Sequence, residues 1–410
     1  MCRCYWYARS RCRGVCPRRT PPHIYGGAGT HVGYLSHELA KSIIVEVRCF
    51  GDQRFEEGNL KVTGFELDRS GFTCPKPLRS AFGAVRRCTD FNTTNIDADI
   101  VHCHTWYTHF GGILAKKNYG IPLVITVHSL EPLRPWKREQ LAGGYDFSLW
   151  VEKTALEMAD AIIAVSGETK RDIDCLFDVD PARVHVIHNG IDLEEYRKVD
   201  STEALKRYGI DPKRSYLLFV GRITRQKGFM HLVRAIQFMD RDFQIVLCAA
   251  APDTPEIAKE MKNAVECARM RRPGIIWIDE MVDQKIACEL YSDAAVFICP
   301  SIYEPFGIIN LEAMACETPV VASAVGGIKE VVVDGETGFL VPLEQMKESP
   351  FEATNPDKFA RDLAARINQL MKKPQLREEF GRAGRKRAEE NFSWAAIARK
   401  TKALYETLKR

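Results

Sequence analysis

The sequence predicts an α/β protein built from two Rossmann-like, doubly wound parallel-sheet domains. Three observations predict it: ten short apolar strand-like runs, amphipathic stretches between them, and one polar break that parts the runs five and five. The length agrees, since 410 residues make two or three domains at roughly 100–200 residues each.

In chain order, the first twenty residues stand apart. They carry six arginines (Arg3, Arg9, Arg11, Arg13, Arg18, Arg19), no acid, and four of the fourteen cysteines (Cys2, Cys4, Cys12, Cys16). They lack helical or strand periodicity, and their Cys-x-Cys and Cys-x-x-x-Cys spacings differ from the paired Cys-x-x-Cys of zinc sites. Residues 1–20 therefore read as an atypical, non-native-like start that supplies no strand. A glycine loop follows, Pro21-Pro-His-Ile-Tyr25-Gly26-Gly27-Ala-Gly29-Thr-His31, leading into a helical run over Val32–Lys41.

The first strand group is Ile43–Phe50, Asp99–His104, Leu123–His128, Ala161–Ser166 and Val184–His188. The second is Tyr216–Val220, Gln244–Ala249, Ile275–Asp279, Ala295–Pro300 and Pro319–Ala322. Helical stretches such as Ser148–Met158, Phe229–Met239, Pro255–Met270 and Ile308–Cys316 lie between them. The charged segment Leu193–Lys213, ending in Asp211-Pro212, is the expected linker. After Asn355 the pattern is wholly helical to Arg410. The expected organisation is an N-terminal domain over 21–195, a C-terminal domain over 214–354 and C-terminal helices over 355–410.

Composition narrows the function classes. With 45% hydrophobic and 27% charged residues the chain is an ordinary globular one. Net charge is +4, and setting aside the six N-terminal arginines leaves −2, which gives no basic face for nucleic acid. The longest apolar runs are strand-sized, so no membrane segment is expected. Cys103, Cys248 and Cys299 lie in apolar runs, where free cysteine behaves as a small hydrophobe in a reducing compartment. The expected location is the cytoplasm.

Three motifs carry chemistry. In Ser301-Ile-Tyr-Glu304-Pro-Phe-Gly307-Ile308-Ile-Asn310-Leu-Glu312, Glu304 falls in the loop after an apolar strand and Glu312 on the helix that follows. In an open α/β sheet that crevice binds ligands, and the helix opening at Gly307 and Ile308 aims backbone N–H groups at a phosphate. The two carboxylates can then accept from hydroxyls, Glu304 from a sugar and Glu312 from a ribose, although solvated charges beside a helix N-terminus fit the same positions. In Gly221-Arg222-Ile-Thr-Arg225-Gln-Lys227-Gly228, Arg222 and Lys227 sit in a glycine-bounded loop, suited to neutralising a departing diphosphate or simply to forming a basic turn. The third motif is the Gly27–Gly29 loop, where glycine permits close backbone approach. His102, His104, His109 and His128 lack a third ligand at metal spacing, and Asp-x-Asp pairs recur at four unrelated places. No metal or other cofactor is expected.

Over about residues 21–408 these motifs resemble the retaining glycosyltransferases of the two-Rossmann (GT-B) type. His128-Ser-Leu-Glu-Pro-Leu-Arg134-Pro-Trp-Lys137, Thr105-Trp-Tyr107, His188-Asn189-Gly190-Ile-Asp192, Ala251-Pro-Asp-Thr-Pro-Glu256 and Asn391-Phe-Ser-Trp394 narrow the resemblance to the bacterial glycogen synthase and alpha-maltose-1-phosphate synthase branch. The resemblance implies an ADP-glucose donor and metal-independent front-face transfer, to glucose 1-phosphate or to the end of an α-glucan. It places Arg222 and Lys227 at the diphosphate, Glu304 at the glucose hydroxyls, Glu312 at the ribose and the Gly307 and Ile308 amides at the phosphates. His128, Asn189, Gly27 and Gly29 would line the reaction centre, with Tyr107, Arg134 and Lys137 on the acceptor side.

Two departures stand against the family pattern. The strand that precedes the glycine loop in the family has no counterpart in residues 1–20, and Glu317 stands where glycine is usual at a helix exit. A missing strand would leave the N-terminal domain unable to assemble its half of the site, making the chain a non-catalytic nucleotide-sugar-binding protein.

Overall fold

The computed structural model describes residues 2–8, 26–67, 71–94 and 96–409. Pro21–Tyr25, Cys12, Cys16 and the arginines at 9, 11, 13, 18 and 19 lie outside the described residues. The chain forms two compact units, one of residues 1–190 with 394–410 and one of residues 191–393.

In the first unit the elements run β1 Arg3–Ala8, α1 Gly26–Ala40, β2 Ile44–Phe50, β3 Arg54–Glu57, β4 Leu60–Phe65, α2 Arg79–Asn92, β5 Ile100–His104 and α3 Trp106–Tyr119. They continue through β6 Leu123–Val127, α4 Lys137–Leu141, α5 Gly144–Met158, β7 Ala161–Ala164, α6 Gly167–Leu176 and β8 Val184–Val186. The eight strands form one sheet in the order β3-β4-β2-β1-β5-β6-β7-β8, parallel except for the β3–β4 hairpin.

β1 corrects the expectation that residues 1–20 supply no strand. It lies at the middle of the sheet, with Tyr5 opposite Glu46 of β2 and Trp6 opposite His102 of β5, both ladders parallel. Its residues meet the demand of a strand covered on both faces. Cys2, Cys4 and Trp6 enter one buried layer, and Tyr5 and Tyr7 enter the other. Cysteine and aromatic side chains are apolar enough for both. Arg3 stays exposed at the strand's start, its backbone N–H donating to Asp99 Oδ2 at 2.7 Å and its guanidinium paired with Asp97. The reading of a defective first domain rested on this strand's absence and falls with it.

The glycine segment is also corrected. Gly27 and Gly29 are in the first turn of α1, so the helix starts six residues before the expected Val32.

The second unit runs α7 Glu203–Tyr208, β9 Tyr216–Arg222, α8 Phe229–Ala235, β10 Gln244–Ala250, α9 Pro255–Arg271, β11 Ile275–Ile278 and α10 Gln284–Asp293. Then come β12 Val296–Cys299, α11 Ile308–Ala315, β13 Val320–Ser323, α12 Ile328–Val331, β14 Gly338–Val341, α13 Pro356–Met371 and α14 Pro374–Asn391. The sheet order is β11-β10-β9-β12-β13-β14, every ladder parallel. The order reverses between β9 and β12, and in an open α/β sheet such a switch point is where ligands bind. Asn355 caps α13, its Oδ1 accepting from Lys358 N–H at 3.0 Å.

The C-terminal helices divide between the units. α13 and α14 belong to the second, whereas α15, Trp394–Leu408, packs in the first. There Tyr405 OH lies 2.6 Å from His102 Nδ1, and the Trp394 ring stacks on Tyr34 at 5.7 Å.

Candidate active site

In the second unit the loops that follow β9 and β12 are laced together at the switch point. Ile302 N–H donates to the Gln226 carbonyl at 2.9 Å. Gly228 has φ +61°, and a Cβ there would lie 1.8 Å from the Pro300 carbonyl oxygen. Only glycine permits both that conformation and that approach, and the approach delivers the preceding side chain. Lys227 Nζ thereby reaches Glu304 Oε2 at 2.6 Å.

The two side chains are 19% and 10% exposed. Burial opposes the Lys227 charge, but the Glu304 carboxylate more than offsets it and holds the ammonium above the ordinary lysine value. Ser301 Oγ donates a further bond to Glu304 Oε2 at 3.2 Å, and the Glu304 carbonyl accepts from Gly327 N–H at 3.0 Å. The carboxylate is thus held in position at the mouth of the sheet.

α11 begins just beyond it. Gly307, at φ +96°, is the N-cap, so the helix opens with its first-turn amides free of side-chain caps. Glu312, in the same helix, accepts from Tyr291 OH at 3.0 Å, and burial raises its carboxyl above the usual range. Arg222, at the end of β9, pairs with Asp253 at 3.3 Å. Asp253 itself is fixed by an N–H bond to the Ile223 carbonyl at 3.1 Å. The structure therefore joins Lys227 directly to Glu304, and gives Arg222 and Glu312 separate partners.

Sequence reasoning did not foresee Asp253 as the partner of Arg222, nor Tyr291, Ser301 and Gly327. The Pro-Asp-Thr-Pro motif was visible, but nothing local tells which cation its aspartate meets. Glu317, after α11, has φ +60°, the left-handed conformation that a glycine exit would take without strain.

In the first unit His128 follows β6, half-buried, its Nε2 3.1 Å from Nδ1 of the buried His104 at the end of β5. Asn189 Oδ1 lies 2.7 Å from Nδ1 of His31 in α1. His31, His104 and His128 form a group in which one ring nitrogen of each lies within 4.8 Å of the others. His31 is the third imidazole that spacing alone did not supply. His102 stands outside this group, with both nitrogens engaged by Tyr405 OH at 2.6 Å and Thr126 Oγ1 at 2.7 Å. Burial lowers the affinity of these rings for a proton, His31 to about 4 and His104 and His128 well below the ordinary value.

The remaining expected residues are nearby in the chain. Tyr107 stacks on Trp106 in the first turn of α3, with ring centroids 3.9 Å apart. Arg134 Nη1 donates to Ser129 Oγ at 3.1 Å and Glu131 Oε1 at 3.2 Å. Lys137 Nζ donates to Gln140 Oε1 at 2.5 Å. Gly27 is exposed and Gly29 buried in α1. Among the described residues no helix is long and apolar enough to cross a membrane.

Residues 25–195 match the model of Glycosyltransferase Family 4, and residues 200–350 match that of Glycosyl transferases group 1. The chain is 46% identical over 396 residues to an alpha-maltose-1-phosphate synthase of Mycolicibacterium smegmatis, spanning 95% of this chain and 97% of that protein. It is 44% identical over 398 residues to the protein of the same name from Mycobacterium tuberculosis, spanning 95% and 97%. Among solved structures, sucrose-phosphate synthase from Thermosynechococcus elongatus superposes with a TM-score of 0.80 at 23% identity, covering 100% of this chain and 99% of that one.

Proposed function

The chain belongs to the glycosyltransferase family of the bacterial alpha-maltose-1-phosphate synthases, and from that membership we propose that it transfers glucose from ADP-glucose to glucose 1-phosphate, with retained α-configuration. The observation that carries the mechanism is the buried Lys227–Glu304 pair beside the opening of α11.

In this reading the diphosphate lies at the first turn of α11, where the Gly307 and Ile308 amides and the helix dipole favour negative charge. Lys227 and Arg222 meet the charge that grows on the leaving oxygen as the glycosidic bond breaks. They are fixed before the reaction, so no reorganisation is needed at the transition state. Glu304 holds the glucose hydroxyls, because its Lys227 and Ser301 bonds leave acceptor capacity and fix its direction. Glu312 takes the ribose. His128 and Asn189, with Gly27 and Gly29, line the reaction centre, and Tyr107, Arg134 and Lys137 serve the acceptor, the two cations suiting its phosphate.

The charge stabilisation is assigned to side chains and backbone, so EDTA should not slow transfer. The deciding experiment supplies ADP-glucose with glucose 1-phosphate or, separately, with glycogen. ADP release is followed and the product identified by mass and by the anomeric proton coupling. Maltose 1-phosphate in the α-configuration is the expected product. Elongated glucan with no disaccharide phosphate would overturn the acceptor assignment, and release of ADP in neither mixture would overturn the donor.

A further inference from the structure

The three imidazoles of the first unit pose a question that glycosyl transfer does not answer. His31 comes from α1, His104 from the end of β5 and His128 from the residue after β6, and they converge to within 4.8 Å at their ring nitrogens. Nε2 of His31 is buried with no hydrogen-bond partner. Such a group costs about 1–3 kcal/mol of desolvation, and an apolar side chain in its place would avoid it. A buried group left this way calls for a ligand.

The geometry specifies which. Asn189 Oδ1 can only accept, so at 2.7 Å it fixes the proton of His31 on Nδ1 and leaves Nε2 as a bare lone pair. That is the outer-shell arrangement by which proteins orient a metal-binding imidazole. The His104 Nδ1 to His128 Nε2 separation of 3.1 Å is close to the about 3.3 Å between two nitrogens that share a tetrahedral zinc ion at roughly 2.0–2.1 Å each. Trp6 packs against His104 at 4.6 Å, and Trp394 lies edge-on to His31 at 5.6 Å, so the rings are held by an apolar shell.

We propose that His31, His104 and His128 bind one divalent transition-metal ion of the zinc class, and that its capture withdraws His128 from glycosyl transfer. Three nitrogens and no carboxylate exclude a preference for Mg²⁺ or Ca²⁺. Each imidazole keeps one N–H and turns its other nitrogen to the ion, which balances protons without a base. A three-histidine set leaves a fourth position for water. The inhibitory consequence rests on the place given to His128 above, whereas the binding itself does not.

The test uses the whole chain, freed of metal by dialysis against a chelator. Co²⁺ is titrated in and read by the visible absorption of a tetrahedral site, then displaced with Zn²⁺. One equivalent is expected to bind, with Mg²⁺ unable to displace it. His31→Gln and His104→Gln should each weaken binding by about 10-fold or more, since losing an outer-shell partner alone costs roughly 10–100-fold. Nitrogen hyperfine structure from Cu²⁺ bound to the wild-type chain identifies the ligands without any substitution. Absence of the cobalt spectrum at millimolar Co²⁺, of nitrogen coupling to Cu²⁺, or of any effect of either variant overturns the site. Zinc should inhibit transfer with a midpoint equal to its dissociation constant. Binding without inhibition would uphold the site and overturn its effect on His128.

Discussion

Separating the structural from the catalytic share of the Lys227–Glu304 pair needs a double-substitution cycle. At 2.6 Å and an effective dielectric constant of about 20, the gross attraction of two unit charges is about 6 kcal/mol. Desolvation offsets much of it, and removing one partner of a buried pair typically costs about 3–5 kcal/mol. Lys227→Met leaves a carboxylate only 10% exposed with Ser301 as its remaining side-chain donor, so the loss should lie near the lower end, about 3 kcal/mol. Glu304→Gln should cost less, about 2 kcal/mol, because the lysine stem can carry its charge toward water. The double variant should lose about 2 kcal/mol, giving a coupling of roughly 3 kcal/mol. All three variants should lower kcat by about 10²–10³, the scale for a preorganised charge stabiliser.

Urea denaturation followed by near-ultraviolet circular dichroism gives the stabilities, and ADP release gives the rates. The pH dependence follows from the raised lysine pKa. A raised folded value means that the contribution is complete below the unfolded lysine value and disappears as pH rises through the folded one. The difference between wild type and double variant should therefore stay flat from pH 7 to about 10 and shrink only above that. Additive stabilities, within about 0.5 kcal/mol, would refute the coupled pair, and a double variant with wild-type kcat would refute its part in transfer.

Three further outcomes are expected. Trp6→Ala, at a fully buried position of β1, should destabilise the first unit by about 3–5 kcal/mol, read as a lowered melting transition; an unchanged melt would deny β1 its central place. Gly228→Ala should cost about 2 kcal/mol or more, combining the left-handed penalty with a clash on the Pro300 carbonyl, and should lower kcat by displacing Lys227; rates and melting equal to wild type would contradict the packing of the two loops. Arg134→Ala should raise KM for glucose 1-phosphate about 10-fold or more, the worth of a charge-assisted bond, while KM for ADP-glucose changes little; equal effects on both substrates would return Arg134 to a purely structural part with Glu131 and Ser129.

The ten strands legible in the sequence are those whose surroundings repeat a simple rule. A parallel strand covered on both faces is a short apolar run, and β9, β10 and β12 read so directly. β1 obeys the same rule with unusual letters, since Cys4 and Trp6 face one layer and Tyr5 and Tyr7 the other. The flanking arginines hid it, because a mean over twenty residues mixes a six-residue strand with its neighbours. The hairpin of β3 and β4 was hidden differently: β3 is Arg-Phe-Glu-Glu, an exposed edge strand whose charges guard it from pairing rather than announce it. At the start of α1 the glycines at 26, 27 and 29 argue for a loop by propensity, and tertiary packing overrides that.

The site follows the same division between local and distant causes. Glu304, Gly307 and Glu312 share one strand–loop–helix segment, so their placement follows from element order alone. The Lys227–Glu304 bond joins residues 77 apart in sequence, and what sets it is the missing Cβ of Gly228 against Pro300. His31 belongs to this second kind. Nothing at its own position marks it, and it meets His104 and His128 in a buried layer where the Trp6 ring of β1 lies beside those of His31, His102 and His104, with centroids 6.5, 4.9 and 4.6 Å away. The strand that the sequence concealed therefore also supplies part of the shell around the histidine cluster. Loss of β1 should then cost the cluster's metal affinity as well as the fold of the first unit, while leaving the Lys227–Glu304 geometry of the second unit to its own loops.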